Sequence, residues 1–267
     1  MLNYKDDFKA TKLLLLKNIR RNNYDRIYFS SNEELDDIFS NFDFKNKDVL
    51  SVIGSGDQAI SFHNNQVNKL DLFDINKLAI YYYYLRVWAI KYLDDIYPNI
   101  DGFNNYIKEL LNKVEINSEN ELNAYNYWKK VSHNISEFYV KQLFYYCNFP
   151  LNGENIDLSL VNKSLNNSFS NIFNIDISEE IDIDNKYDFI YTSNIVDYVS
   201  GVRKINLFRD NLASLLKENG IVICTNLGAY FINSDIKNSF EEKFEFRRMP
   251  EVKTWGTTIP GHYYVKR

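Results

Sequence analysis

The stretch from Lys47 to Ile60, KDVLSVIGSGDQAI, decides the fold. Val49, Leu50, Val52 and Ile53 form a short, almost continuous apolar run, the pattern of a strand buried on both faces of a parallel sheet. Gly54, Ser55 and Gly56 then turn the chain into a helix predicted from Asp57 to about Asn64, and glycines this close together let a backbone approach a ligand without Cβ atoms in the way. A second apolar run, Leu70 to Ile75, contains Asp74, which lies about 20 residues beyond the first glycine of the turn. In a strand–turn–helix–strand unit, a carboxylate there can accept hydrogen bonds from both hydroxyls of a ribose. The pair of runs therefore predicts a nucleoside site at the carboxyl ends of two adjacent parallel strands, the first of them central.

Composition bounds the rest. The chain has 267 residues, enough for one α/β domain with a modest insertion, and a single domain over 1–267 is expected. Its net charge of −5 argues against a dedicated nucleic-acid binder, which needs a basic surplus to neutralise phosphates. With 21 Tyr and 19 Phe against 9 Gly and 4 Pro, aromatic side chains must face many elements, so the run Tyr81 to Tyr84 needs no special function. Cys147 and Cys224 stand in no metal or redox spacing and read as reduced packing residues; no metal is expected. No apolar stretch approaches the roughly 18 to 20 residues that span a bilayer, and the N-terminus lacks a signal-peptide pattern. The expectation is a cytoplasmic protein with at most peripheral membrane contact.

Around the central unit, residues 1–45 are expected to form a helical arm or lid. A helix over 5–21 carries Leu13 to Leu16 flanked by Lys12, Lys17, Arg20 and Arg21, and it fits packing on the domain better than membrane contact. Ser30, Ser31 or Asn32 is expected to cap a helix through Phe39, with Glu33 or Glu34 in its first turn. His63 reads as a surface or satisfied histidine. The helix from Asn76 to about Ile96 places Leu78, Tyr81, Leu85, Trp88 and Tyr92 on a stripe expected to pack on the sheet. Residues 97–150 read as a helical insertion on the acceptor side, whose aromatics are candidates for substrate contact. A third strand is expected over Phe169–Ile175, before Asp176, and a fourth over Tyr187–Ser193, running into Asn194, Asp197 and Tyr198. A helix over Arg203–Leu216 should end at Asn219-Gly220, followed by a fifth buried strand, Ile221–Thr225. Two alternating strands, 243–248 and 262–267, close the chain around a loop containing Trp255, Gly256, Pro260 and Gly261.

The spacing Gly54-x-Gly56-x-x-Ala59 with Asp74 downstream also matches a dinucleotide fingerprint, so an NAD-dependent oxidoreductase is weighed. Against it stand the terminal strand pair where a sixth parallel strand is needed, and the bulky Asp57-Gln58 where a pyrophosphate wants bare amides. S-adenosylmethionine fits these features better. A non-catalytic nucleoside-binding module remains a reading from another class.

The strings VLSVIGSGDQ (49–58), LFDIN (72–76) and YTSNIVDY (191–198) resemble the family that includes the betaine-lipid synthesis enzyme BtaA. The resemblance implies a class I methyltransferase-like (Rossmann-like) α/β fold, mostly parallel with a C-terminal antiparallel pair. It also implies transfer of a 3-amino-3-carboxypropyl group from S-adenosylmethionine to a small-molecule or lipid acceptor. It places Gly54, Ser55, Gly56 and Asp57 along the methionine moiety, Asp74 at the ribose and Asp176 by the adenine, and Gln58 and Ile75 are expected among the cofactor-binding residues. Ser193, Asn194, Asp197 and Tyr198 then face the sulfonium and the acceptor. A sulfonium makes all three attached carbons electrophilic, so methyl transfer stays open beside aminocarboxypropyl transfer. If the acceptor is a hydroxyl or amine, Asp197 or Tyr198 is the expected base. Asp197 equally fits a helix cap, and Tyr198 fits packing.

Overall fold

Strand β2 (Asp48–Val52) is central because both its neighbours run parallel to it: Val49 stands opposite Leu70 of β3 (Lys69–Phe73) on one side and Phe189 of β6 (Tyr187–Ser193) on the other. In this computed structural model, which describes residues 1–17, 25–31, 33–145, 150–151, 155–167, 170–225, 234–254 and 257–267, β5 (Ile172–Phe173) extends the sheet beyond β3. Beyond β6 come β7 (Leu216–Cys224), β9 (Thr257–Lys266) and β8 (Phe244–Thr254), giving the order β5-β3-β2-β6-β7-β9-β8. Only β9 runs against its neighbours. The result is the methyltransferase-like α/β sheet expected, with its terminal antiparallel pair. The chain leaves β2 toward β3 on one side and returns at β6 on the other. Such a reversal opens a crevice at the carboxyl ends of the strands.

Helix α4 (Lys77–Leu93) starts where the Asn76 side chain accepts from Leu78 N at 3.1 Å. It was expected to show the sheet a single stripe, but residues around nearly its whole circumference are buried, including Leu78 to Tyr83. The reason is a second layer formed by α1 (Tyr4–Lys17), α5 (Phe103–Leu111) and α6 (Glu119–Asn134). Tyr81 stacks on Tyr127 of α6 with ring centroids 4.1 Å apart, and Trp128 Nε1 donates to Tyr81 O at 2.7 Å. Tyr81 also donates its hydroxyl to Asp7 of α1 at 2.7 Å, which ties the first helix to the body. A buried apolar cluster joins Leu2 to Tyr264. Leu14 and Leu15 belong to it, while Leu16 is exposed; Arg20 and Arg21 lie outside the described residues.

Several boundaries differ from the sequence reading, each for a physical reason. A two-residue strand, β1 (Ile27–Tyr28), pairs in parallel with β4 (Phe144–Tyr145), which follows the short helix α7 (Glu137–Lys141). Elements this short have no periodicity to read. Helix α9 (Val202–Leu215) stops at Leu216, and β7 begins there at once, so Asn219-Gly220 does not end the helix. The β6–β7 register instead jumps from Tyr187/Leu216 to Phe189/Ile221, and Asn219 takes φ +58° within the resulting bulge. The terminal strands run much longer than expected and take Pro260 and Gly261 into β9; Trp255, Gly256, Asn32 and Cys147 fall outside the described residues. Helix α3 (Asp57–Asn64) follows its predicted span, and His63 on it is satisfied, its ring nitrogens 2.9 Å from Ser164 Oγ and 3.4 Å from Tyr83 OH. No helix among the described residues is long and apolar enough to cross a membrane.

Gly261 marks the tightest approach in the hairpin. A Cβ there would lie 2.5 Å from the carbonyl oxygen of Pro250 and 2.6 Å from Met249 Cγ. Gly261→Ala is therefore expected to destabilise the fold by about 1–3 kcal/mol through overpacking, measured as a lower midpoint in denaturant.

Candidate functional site

The switch-point crevice holds a cleft of about 250 Å³. Gly54, Ser55 and Gln58 line it from the turn after β2, Asp74, Ile75 and Asn76 from the end of β3, and Thr192, Ser193, Asn194 and Tyr198 from the end of β6 and the 3₁₀ turn that follows. The arm before α2 (Leu35–Phe39) adds Asp25, Arg26, Tyr28 and Ser31, and Tyr145 of β4 closes the side beside Tyr28. The small β1–β4 pairing thus carries two tyrosines to the rim, with ring centroids 5.8 Å apart. The Arg26 guanidinium stands 5.6 Å above the Tyr145 ring.

Asp74 is tied to the turn it faces. One carboxylate oxygen accepts from Gly54 N at 3.0 Å and the other from Asn76 N at 2.8 Å. A carboxylate offers about four acceptor positions, so each oxygen keeps capacity for a ligand hydroxyl. Burial pushes its pKa up to about 6 despite the backbone donors that favour the charged form. Ile75, directly after it, is 40% exposed at the rim.

The turn itself is held from behind. Gly54 and Gly56 take φ +53° and +88°, conformations that glycine adopts without a Cβ penalty. Asp57, expected along the ligand, instead points away from the cleft and is fully buried. It accepts from Arg86 Nη1, from Tyr97 OH at 2.8 Å and from Ser31 N at 2.5 Å. Arg86 also donates to Ser55 O and Ile96 O, both at 3.0 Å, and its plane lies 4.2 Å from the Tyr97 ring centroid. The first acid of α3 is therefore a clamp on the turn. Gln58 does face the cleft, and its buried Oε1 has no partner among the described residues.

At the opposite wall, Ser193 adopts φ +51°, a left-handed conformation that costs a serine energy. Its Oγ donates to Glu33 Oε1 at 2.6 Å; Tyr191 OH donates to the other carboxylate oxygen at 2.5 Å, and Thr225 Oγ1 donates as well. Glu33 was expected in the first turn of α2. Glu34 occupies the N-cap position of that helix, without a side-chain capping bond, and Glu33 is buried against the hydroxyls at the carboxyl ends of β6 and β7. Desolvation raises its pKa against the three hydroxyl donors.

Eight of the twelve expected site residues line the cleft: Gly54, Ser55, Gln58, Asp74, Ile75, Ser193, Asn194 and Tyr198. Tyr198 is 71% exposed at the mouth rather than packed. Gly56, Asp57, Asp176 and Asp197 do not line it. Asp176 lies beyond β5, where its carboxylate accepts from Ser178 N and Oγ at 3.0 and 2.6 Å and pairs with Lys204 at 3.6 Å. Asp197 sits in the 3₁₀ turn, and the cap of α9 that it was weighed for is Gly201. Sequence reasoning missed Arg26, Glu33 and Arg86. A signal for Glu33 was available: hydroxyls at the ends of two buried strands, Tyr191, Ser193 and Thr225, need an acceptor once desolvated.

No protein-family model matches the chain, and no curated protein matches it. Similar solved structures include the N-methyltransferase NodS from Bradyrhizobium japonicum in complex with S-adenosyl-L-homocysteine, at 8% identity over 87% of this chain and 83% of that one, TM-score 0.41. A TehB-like SAM-dependent methyltransferase from Corynebacterium glutamicum matches at 10% identity over 99% and 98% of the two chains, TM-score 0.46. A methyltransferase from Pyrococcus furiosus matches at 8% identity over 98% and 97%, TM-score 0.42.

Removing one member of a buried ion pair strands the other in low dielectric. Arg86→Met is expected to cost about 3–5 kcal/mol in denaturant unfolding, and the Asp57→Leu/Arg86→Met double variant less than the sum of the two single changes.

Proposed function

We propose that the chain is an S-adenosylmethionine-dependent transferase and that the group it moves is the 3-amino-3-carboxypropyl chain. The observation that carries the first part is Asp74, a buried carboxylate at the end of β3 bonded to the amide of Gly54, with acceptor capacity to spare. That is the placement a ribose diol requires, and exposed Ile75 beside it offers an apolar face to a base. Gln58 Oε1 and the buried Arg26 Nε, neither with a partner among the described residues, fit the ammonium and carboxylate of an amino-acid tail. These residues fit the cofactor, which when bound supplies an electrophilic carbon on a positively charged sulfur.

The chain's own part is to hold and to exclude. Gly54 and Ser55 carry backbone close to the ligand, Asp74 fixes the sugar, and Tyr28, Tyr145 and Tyr198 screen the mouth from water. Support for the aminocarboxypropyl group comes from the three strings 49–58, 72–76 and 191–198. Transfer of that group leaves methylthioadenosine, whereas methyl transfer leaves S-adenosylhomocysteine, so mass spectrometry of the nucleoside product separates them. The acceptor is a small molecule or lipid entering past the three tyrosines.

Asp74→Ala is expected to weaken calorimetric binding of S-adenosylmethionine by roughly 10- to 100-fold, the loss of one or two hydrogen bonds to a charged acceptor. Normal binding by this variant defeats the reading. Since the ionised carboxylate is the better acceptor and its pKa lies at about 6, wild-type affinity is expected to fall as pH drops through that value, and Asp74→Asn to flatten the dependence.

A further inference from the structure

Glu33 is 2% exposed, and its carboxylate accepts three hydroxyls, from Tyr191, Ser193 and Thr225. Among the described residues no cation forms an ion pair with it. Among the described residues, the titratable groups that act on it come from three elements and none is positive. Tyr191 on β6 is pushed well above the usual phenol range, chiefly by burial, and Cys224 on β7 is pushed up to about 12 by the same cause. Asp197, on the 3₁₀ turn, adds a negative charge that makes ionisation of Glu33 harder still. A buried carboxylate is costly unless a cation compensates it, and hydroxyl donors repay only part of that cost.

The missing cation has a place to stand. Ser193 is part of the cleft lining, and its hydroxyl donates directly to Glu33, so the carboxylate lies one hydroxyl behind the wall. Thr225 N also donates to Ser193 O at 3.2 Å, which fixes that residue from the β7 side. Across a wall with no bulk water, a charge acts on its opposite far more strongly than it does in solution.

We propose that Glu33 is the specificity residue through which the cleft distinguishes a cationic adenosyl sulfonium from the neutral thioether. This rests on the proposed function, and it assigns to a residue outside the lining the discrimination between substrate and product forms of the nucleoside. Asp74, Gln58 and Arg26 meet groups common to both forms. Glu33 responds to the one feature that differs, the charge on sulfur. Either mode of transfer leaves a neutral sulfur, so the attraction ends when the reaction does, and the product loses its hold on the cleft.

The test needs no acceptor. Isothermal titration calorimetry of the full chain with S-adenosylmethionine and with S-adenosylhomocysteine gives the ratio of their dissociation constants, for wild type and Glu33→Gln, between pH 5.5 and 8.5. Glu33→Gln keeps the size of the side chain and removes its charge. It is expected to reduce the preference for the sulfonium roughly tenfold while leaving homocysteine-ligand affinity within about twofold. Burial raises the Glu33 pKa, so its contribution to the preference should be greatest at the alkaline end, and the gain with pH should be smaller in the variant than in wild type. Asp74 titrates in the same range and its charge also favours the cation, so only the part of the preference that Glu33→Gln removes is assigned to Glu33. A ratio indifferent to Glu33→Gln, with both ligands bound, overturns this inference and leaves the transferase reading standing. Binding of neither ligand by wild type overturns both. If Glu33→Gln does not fold, the ratio is taken for Glu33→Asp, which draws the carboxylate back by one methylene: a reduced preference for the sulfonium supports the proposal and an unchanged one ends it.

Discussion

Asp57 and Arg86 meet with no part of either side chain in contact with solvent, and the placement of the cleft depends on that meeting. The turn between β2 and α3 uses two left-handed glycines, and glycine loses more freedom on folding than any other residue. A turn of that kind needs an outside clamp. The ion pair supplies it, because Arg86 leaves α4 to grip Ser55 O and Asp57 together, while Ser31 of the arm and Tyr97 beyond α4 reach the same carboxylate. Four separate parts of the chain are thereby registered on one buried charge. Taking two ions out of water costs several kcal/mol each, and good geometry with further donors is what offsets it. The pair is therefore better understood as a device for one arrangement than as a source of stability.

Across the cleft, Glu33 shows the opposite solution to the same problem. Both carboxylates are buried, and both are reached by the arm that precedes α2, one through its amide at Ser31 and one through its own residue. Asp57 has its cation in the fold. Among the described residues Glu33 has only hydroxyls. One wall thus has its ion pair complete, while the other holds a carboxylate whose ionisation burial opposes and a cation in the cleft would favour. A local rule broken beside a cavity is where function is expected to sit, since a fold optimised for stability alone would pair or remove the charge.

How much of this was legible in the sequence follows from how far apart the partners are. The β2–α3–β3 unit could be read closely because its apolar runs, its glycines and Asp74 all lie within about 30 residues and each element has a clear period. Strand β6 was legible for the same reason. The roles of Asp57 and Glu33 were not, because an acid at a helix start reads the same whether it faces a ligand, caps the helix or turns inward to an arginine 29 residues away. Asn219-Gly220 was misread because left-handed residues end helices and build bulges alike, and only the jump in the β6–β7 register tells the two apart. Asp176 was placed by analogy with its position after a strand, and the nearby Ser178 and Lys204 take its carboxylate instead.

The strain at Ser193 and the charge on Glu33 bear on one another. A glycine at 193 would adopt φ +51° at little cost, whereas a side chain there holds about 1–3 kcal/mol of backbone strain. Glycine would also remove the hydroxyl and leave Glu33 with two donors in place of three. Relief of the backbone would then be offset by a less satisfied carboxylate, since a hydrogen bond to a buried charge contributes about 1.5–3 kcal/mol. The two costs are of similar size, so the serine is tolerable on energetic grounds, and its hydroxyl links a residue of the cleft lining to the carboxylate behind it. The strained residue and the unpaired acid thus form one construction at the carboxyl edge of β6, where the sheet opens to a ligand.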